Sequence, residues 1–195
     1  MLHAEATIYT SRPDAYAHLL RALGLSAVDA RTVAAGRGRV RLEVLAVGDA
    51  RDGTCEHRVG RADPSDPPHA RGDGRLSVLL ITYTPDVESA TADLRRRGAR
   101  PRLSAHDGVW ADFVLDDGLV AVHRDVEEAA ELAFEYDGDV DALVGRLRTA
   151  GVGAYPIDET YARTVHVPRP DGHGVLVVNG RTDPYGFETH GADPR

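Results

Sequence analysis

Glu43 and His123 stand at matching places in two similar stretches of sequence, RLEV and AVHR. Each stretch closes a segment in which apolar residues alternate with others, which is typical of a β-strand. If a pseudo-twofold axis relates the two segments, the two side chains face each other across one cavity. A carboxylate opposite an imidazole is suited to proton transfer or to cation binding. These two residues are therefore the first candidates for chemistry.

Glu131 opens a third alternating segment and supplies another carboxylate. Paired with His123, it offers acid–base chemistry that needs no metal. Cys55 and His57 are neighbours in sequence, but side chains on a connecting segment rarely face each other, so a structural role is favoured for both. The candidate catalytic residues are Glu43, His123 and Glu131.

Aromatic side chains are the candidates for binding an organic molecule. Trp110 and Phe113 lie on opposite faces of one segment, so one is expected in the core and the other in the wall of a cavity. Tyr155, Tyr161 and His166 are the corresponding candidates near the C-terminus.

Composition excludes several classes of function. The chain has 195 residues and a net charge of −8, which argues against binding nucleic acid, because such binding draws on clustered cations. All 23 basic residues are Arg, so a catalytic lysine is excluded. The single cysteine precludes an intrachain disulfide, and no apolar run suggests a signal peptide or a membrane span. A cytoplasmic protein is expected.

A repeated pattern positions the candidate residues. Three times, a strand-like segment leads into a helix with apolar residues at i, i+3, i+4 and i+7, then a glycine, then further strand-like segments. Helices are predicted at Pro13–Leu23, 86–97 and 140–150. The modules are assigned to residues 1–47, 75–125 and 130–180, with a surface linker at 48–74 and a loose tail at 181–195. The fold class is α+β.

The βαβββ order, the stretch DVDALVGRLRTAGV and the ending PDGHGVLVV resemble the vicinal oxygen chelate superfamily, which includes glyoxalases, bleomycin resistance proteins and dioxygenases. The first two modules resemble the N-terminal half of hydroxyphenylpyruvate dioxygenase, through an EH-containing linker, a GDG and the segment LSVLLITYTPDVESATADLRRRGARP. The resemblance implies paired modules that form curved mixed sheets around a trough. We expect modules one and two to pair as one unit, 1–125, which leaves an unpaired edge on module three and favours a homodimer.

The resemblance also implies a metal site, with ligands from the first and last strands of each module. Carried over to this chain, it suggests a divalent ion held by His3, Glu43 and His123. It also shows a departure, because the first strand of module two offers only Ser77 or Leu79.

Two functions stay open. One is a metal-dependent lyase, isomerase or dioxygenase, and the other is a binding or antibiotic-sequestering resistance protein that holds a small molecule without turnover.

Overall fold

The computed structural model describes residues 1–61, 72–159, 162–180 and 187–191. Its helices are α1 (Pro13–Leu23), α2 (Val87–Arg97) and α3 (Val140–Thr149). Its strands are β1 (Leu2–Thr10), β2 (Ser26–Ala27), β3 (Thr32–Ala34), β4 (Arg39–Val44), β5 (Cys55–Arg61), β6 (Leu76–Thr84), β7 (Arg100–Ala105), β8 (Trp110–Val114), β9 (Leu119–Arg124), β10 (Ala129–Tyr136), β11 (Tyr155–Asp158), β12 (Arg163–Pro168), β13 (Val175–Gly180) and β14 (Phe187–Thr189).

The predicted α+β fold with three helices is confirmed, and each helix follows its predicted signals. Pro13 occupies the first turn of α1, where its missing N–H costs nothing. Asp86 and Asp139 cap α2 and α3 by accepting backbone N–H bonds with their side chains. The helices bury their apolar stripes, as the spacing requires.

The three modules share one strand topology. In each, the first and last strands are parallel neighbours, and the two middle strands continue the sheet outward in antiparallel order. Module one gives the order β2-β3-β4-β1, module two β7-β8-β9-β6 and module three β11-β12-β13-β10. The repeat inferred from the sequence is therefore a repeat of topology.

The expected pairing of modules one and two is wrong. Strand β6 pairs antiparallel with β10 from Leu76–Tyr136 to Tyr83–Ala129, which joins modules two and three in a nine-stranded sheet. Module one forms a separate five-stranded sheet. The argument for a dimer through an open edge of β10 also fails, because β10 is paired with β6 on one side and β13 on the other. The homodimer itself stays a prediction.

Strand β5 explains why module one stays apart. It arises within the predicted surface linker, pairs antiparallel with β1 and so occupies the edge that a second module would use. The tail likewise contains strand β14, which pairs with β7. Both segments were expected to lack regular structure, because their composition is rich in turn residues and their apolar alternation is short.

Two apolar clusters lie on opposite faces of the nine-stranded sheet. Leu76, Val78 and Leu80 of β6 join Phe134 of β10 in the large core, which also contains the buried side chains of β1 and of all three helices. Residues on the opposite face of β6, β8, β9 and β10 form a smaller cluster, which consists of Leu79, Val114, Leu119, Ala121 and Ala133. Module one therefore shares a core with the helix-covered face and leaves the other face to a trough. None of the helices in the described parts of the chain is long and apolar enough to cross a membrane.

A tight turn of module two, at Asp117 and Gly118, contacts strand β1 of module one. Ala4 N donates to Asp117 O at 2.8 Å, and Asp117 N donates to Leu2 O at 3.0 Å. Gly118, with φ +111°, lies against Ala4 so closely that an added Cβ would be 2.5 Å from the Cβ of Ala4. Glycine is required here both for its backbone conformation and for its size.

We expect Gly118→Ala to lower the free energy of unfolding by about 2 kcal/mol, through a strained φ and the forced separation of the turn from β1. Gly108→Ala is the matched control, because Gly108 also has a positive φ, +69°, but has no atom within 4 Å of the added Cβ. It should cost about 1 kcal/mol. Urea unfolding of both variants measures the difference, and equal losses would show that the close approach to Ala4 contributes nothing.

Candidate functional site

A trough with a volume of about 1170 Å³ lies on the open face of the nine-stranded sheet. Strands β6, β8, β9, β10 and β13 supply much of its floor and walls. On β6, β8 and β9 every second residue lines it, whereas on β10 and β13 consecutive residues do. The first and last strands of modules two and three lie side by side at its centre. This cavity brings together four of the nine candidate residues, Trp110, His123, Glu131 and His166.

The centre of the trough is apolar. Leu79, Ala133 and Val177 are neighbours across β6, β10 and β13, and Ala121 lies on β9 beside Ile81. All five line the cavity. They offer no ligand for a metal and no proton-transfer group, so the centre is suited to contact with an apolar molecule.

A buried ion pair network crosses the trough from β7 and β8 to β10. Arg102 donates to Asp112 at 3.2 and 2.5 Å and to Glu135 at 2.8 and 2.7 Å. Burial lowers the pKa of Arg102, but the two carboxylates outweigh it and raise that pKa above its ordinary value. Burial raises the pKa of Asp112 to about 6. The Arg102 guanidinium opposes this shift only in part, since it is shared with Glu135. The network therefore carries excess negative charge into the trough.

Aromatic rings occupy another part of the trough. Tyr83 and His123 are register partners on β6 and β9, and their ring centroids lie 5.6 Å apart. Trp110 faces His123 from β8, with centroids at 6.1 Å, and Phe187 packs edge-on against Trp110 at 5.6 Å. Burial lowers the pKa of His123, although the charge of Glu131 opposes that shift. The imidazole is therefore neutral at pH 7 and behaves as one more aromatic ring.

Comparison with solved structures identifies this architecture. A fusion of a xylose isomerase-like TIM barrel with a 4-hydroxyphenylpyruvate dioxygenase superposes with a TM-score of 0.54 at 10% identity, over 94% of this chain. The chain has the vicinal oxygen chelate fold. The superposition with the fusion protein extends over all three modules of this chain, not only the first two. This chain spans 49% of the length of the fusion protein. At this level of identity the likeness shows the fold alone.

Two other solved structures superpose less closely. A glyoxalase/bleomycin resistance protein/dioxygenase superfamily member from Vibrio splendidus has a TM-score of 0.40 at 16% identity, over 54% of this chain and 99% of its own. A 4-hydroxymandelate synthase variant from Streptomyces coelicolor has a TM-score of 0.35 at 13% identity, over 92% and 70% respectively. No protein-family model matches the sequence, and no curated protein does.

The metal set suggested by the vicinal oxygen chelate resemblance is not assembled. His3 and Glu43 lie on β1 and β4 of the separate sheet, whereas His123 lines the trough. Glu43 is a partly exposed side chain in an ion pair with Arg41 at 3.5 Å, and His3 is buried beside the Asp117 turn. Within the described ranges no group of three or more His, Cys, Asp or Glu side chains is placed to hold a metal. The expectation failed because matching places in modules one and two face one cavity only if those modules pair.

The remaining candidates divide between the trough and other sites. Trp110, His123, Glu131 and His166 line the cavity. Phe113 is fully buried in the core on the opposite face, and Tyr155 is 43% exposed, outside the lining, although its ring lies 5.7 Å from that of His166. Tyr161 lies outside the described residues. The pairing of Glu131 with His123 for acid–base chemistry stays a prediction.

The structure adds residues that the sequence did not indicate. Neither Arg102 nor Asp112 is among the candidate residues named from the sequence, yet both are buried in the ion pair network. The available signal was that Asp112 shares a strand face with Trp110 and Val114. Cys55 also reaches the cavity, but burial raises the pKa of its thiol to about 12, so no thiolate is available for catalysis.

Proposed function

We propose that the trough between modules two and three binds a small organic molecule with an aromatic or apolar portion, as a binding protein rather than a metal-dependent enzyme. The observation that carries the proposal is the apolar centre formed by Leu79, Ala121, Ala133 and Val177, where the first and last strands of both modules meet. A cavity of about 1170 Å³ with an apolar floor and a few polar groups is the usual form of such a site.

The metal-dependent alternative lacks support in the residues that line this cavity. A catalytic metal needs about three protein ligands. The lining contains several carboxylates and imidazoles, but no three His, Cys, Asp or Glu side chains among the described residues are grouped to hold an ion. Calorimetric titration with Mn²⁺, alone and after a ligand has bound, tests the divalent ion that the fold resemblance suggests. Stoichiometric binding of Mn²⁺ to the purified chain would favour the enzyme.

Fluorescence provides a direct assay, because Trp110 is the one tryptophan of the chain and lines the trough. We expect aromatic probes of different charge to change its emission on binding. Ala133→Leu places a larger side chain at the centre of the cavity and should weaken binding about tenfold, because it removes the space that the ligand fills.

Ala142→Leu is the matched control for this substitution. Ala142 is exposed on α3, away from the trough, so the same increase in side-chain size should leave the dissociation constant unchanged. Equal weakening by both variants would place the binding site elsewhere, and no change in Trp110 emission with any probe would contradict the proposed function.

A further inference from the structure

One end of the trough combines aromatic rings with a carboxylate. The rings belong to Tyr83, Trp110, His123 and Phe187, called the aromatic cluster below. They come from three sheet strands in register and from β14, which pairs with β7 beside them. Their ring faces carry the partial negative charge of the π system, and all four residues line the cavity.

Glu131 adds a full negative charge to this end. Its carboxylate accepts a hydrogen bond from the Tyr83 hydroxyl at 3.0 Å, and its residue is exposed on β10 at the edge of the cavity. Among the described residues no Arg or His forms an ion pair with Glu131. Among the described residues, the charge is thus oriented by Tyr83 but not neutralised.

The other charged side chains that line the cavity also make its electrostatic potential negative. Its carboxylates are Asp112, Glu131, Glu135 and Glu159, against the guanidinium groups of Arg102 and Arg169 among the described residues. Arg169 is already paired with Asp171 at 2.7 Å, and Arg102 is shared by two carboxylates. An anionic ligand would therefore be repelled, whereas a cationic ligand would be attracted.

We propose that the aromatic cluster and Glu131 form a subsite for an organic cation, an alkylated or quaternary ammonium group carried by the molecule that fills the apolar trough. This inference rests on the proposed function and adds the charge of the ligand. An alkylated ammonium group is attracted to the faces of aromatic rings within about 6 Å of it. A carboxylate beside the rings adds a Coulombic attraction that a neutral group does not receive.

The test compares two ligands of the same shape. In 3-hydroxyphenyltrimethylammonium the charged nitrogen replaces the central carbon of the tert-butyl group in 3-tert-butylphenol. Calorimetric titration of the whole chain at low ionic strength should give a dissociation constant at least tenfold lower for the cation. Added salt should reduce this preference, because the Glu131 carboxylate is exposed.

Glu131→Gln removes the charge while its amide oxygen can still accept the Tyr83 hydrogen bond. We expect this variant to lose most of the preference for the cation and to keep its affinity for the neutral phenol. Glu88→Gln is the matched control, since it makes the same change of charge in the first turn of α2, outside the cavity lining. It should keep the full preference.

The outcomes separate this inference from the proposed function. Equal binding of both ligands by the unmodified chain overturns the cation subsite and leaves trough binding intact. A preference for the cation that survives Glu131→Gln also overturns it. If neither ligand binds but other aromatic probes change Trp110 emission, the subsite is wrong and the trough is right; if no probe binds, both proposals fail.

Discussion

Arg102→Met is expected to lower the free energy of unfolding by about 3–5 kcal/mol, because it leaves Asp112 and Glu135 in the trough without their cation. Arg102 is 8% exposed and Asp112 is 6% exposed, so water does not replace the lost partner. Guanidinium unfolding at pH 7 measures the loss. The same variant should recover stability as the pH falls, since unpaired buried carboxylates have raised pKa values and their protonation then favours the folded state.

Arg100→Met is the matched control on the same strand. Arg100 pairs with Asp116 at 3.3 Å, and both side chains are substantially exposed. Surface pairs of this kind contribute about 0–1 kcal/mol. Similar losses for the two variants would mean that the Arg102 network is no more important than a surface ion pair, and a loss independent of pH would contradict the role assigned to the carboxylates.

The second large effect on stability is expected at His57. Acid should destabilise the fold, because this buried side chain is held in its neutral form. His57 lies on β5 facing β10, and neither ring nitrogen has a hydrogen-bond partner of acceptable geometry among the described residues. Burial lowers its pKa from 6.5 to about 4, and the backbone of Glu131 favours the charged form only weakly. The unfolded chain therefore binds a proton at His57 that the folded chain excludes between these two pH values.

The sign of the effect follows from that difference. Stability from the neutral His57 is complete above pH 6.5 and is lost as the pH falls towards 4, by about 3.5 kcal/mol in total at 1.4 kcal/mol per pH unit. His57→Gln should flatten this part of the profile of unfolding free energy against pH. His173→Gln, at an exposed position, is the control and should leave the slope unchanged. An identical slope in the His57 variant would assign the acid effect to other groups.

Local pattern was sufficient for the elements and for part of the site. The apolar stripes, Pro13 and the capping residues Asp86 and Asp139 act within a few residues of the chain, so the helices followed from the sequence. Strand alternation also placed Trp110 and Phe113 on opposite faces. What it left open was which face is the trough.

Tertiary structure alone decided which modules share a sheet. The first strands of the modules present the same backbone donors and acceptors at their edges, so the sequence of one module does not specify its partner. The outcome depends on β5 covering β1 and on the small residues Ala4 and Gly118 at the contact. For the same reason Glu43 and His123, at matching places in their modules, lie in different sheets. Arg102 meets Asp112 through the pairing of β7 with β8, but it reaches Glu135, 33 residues away on β10, only across the trough.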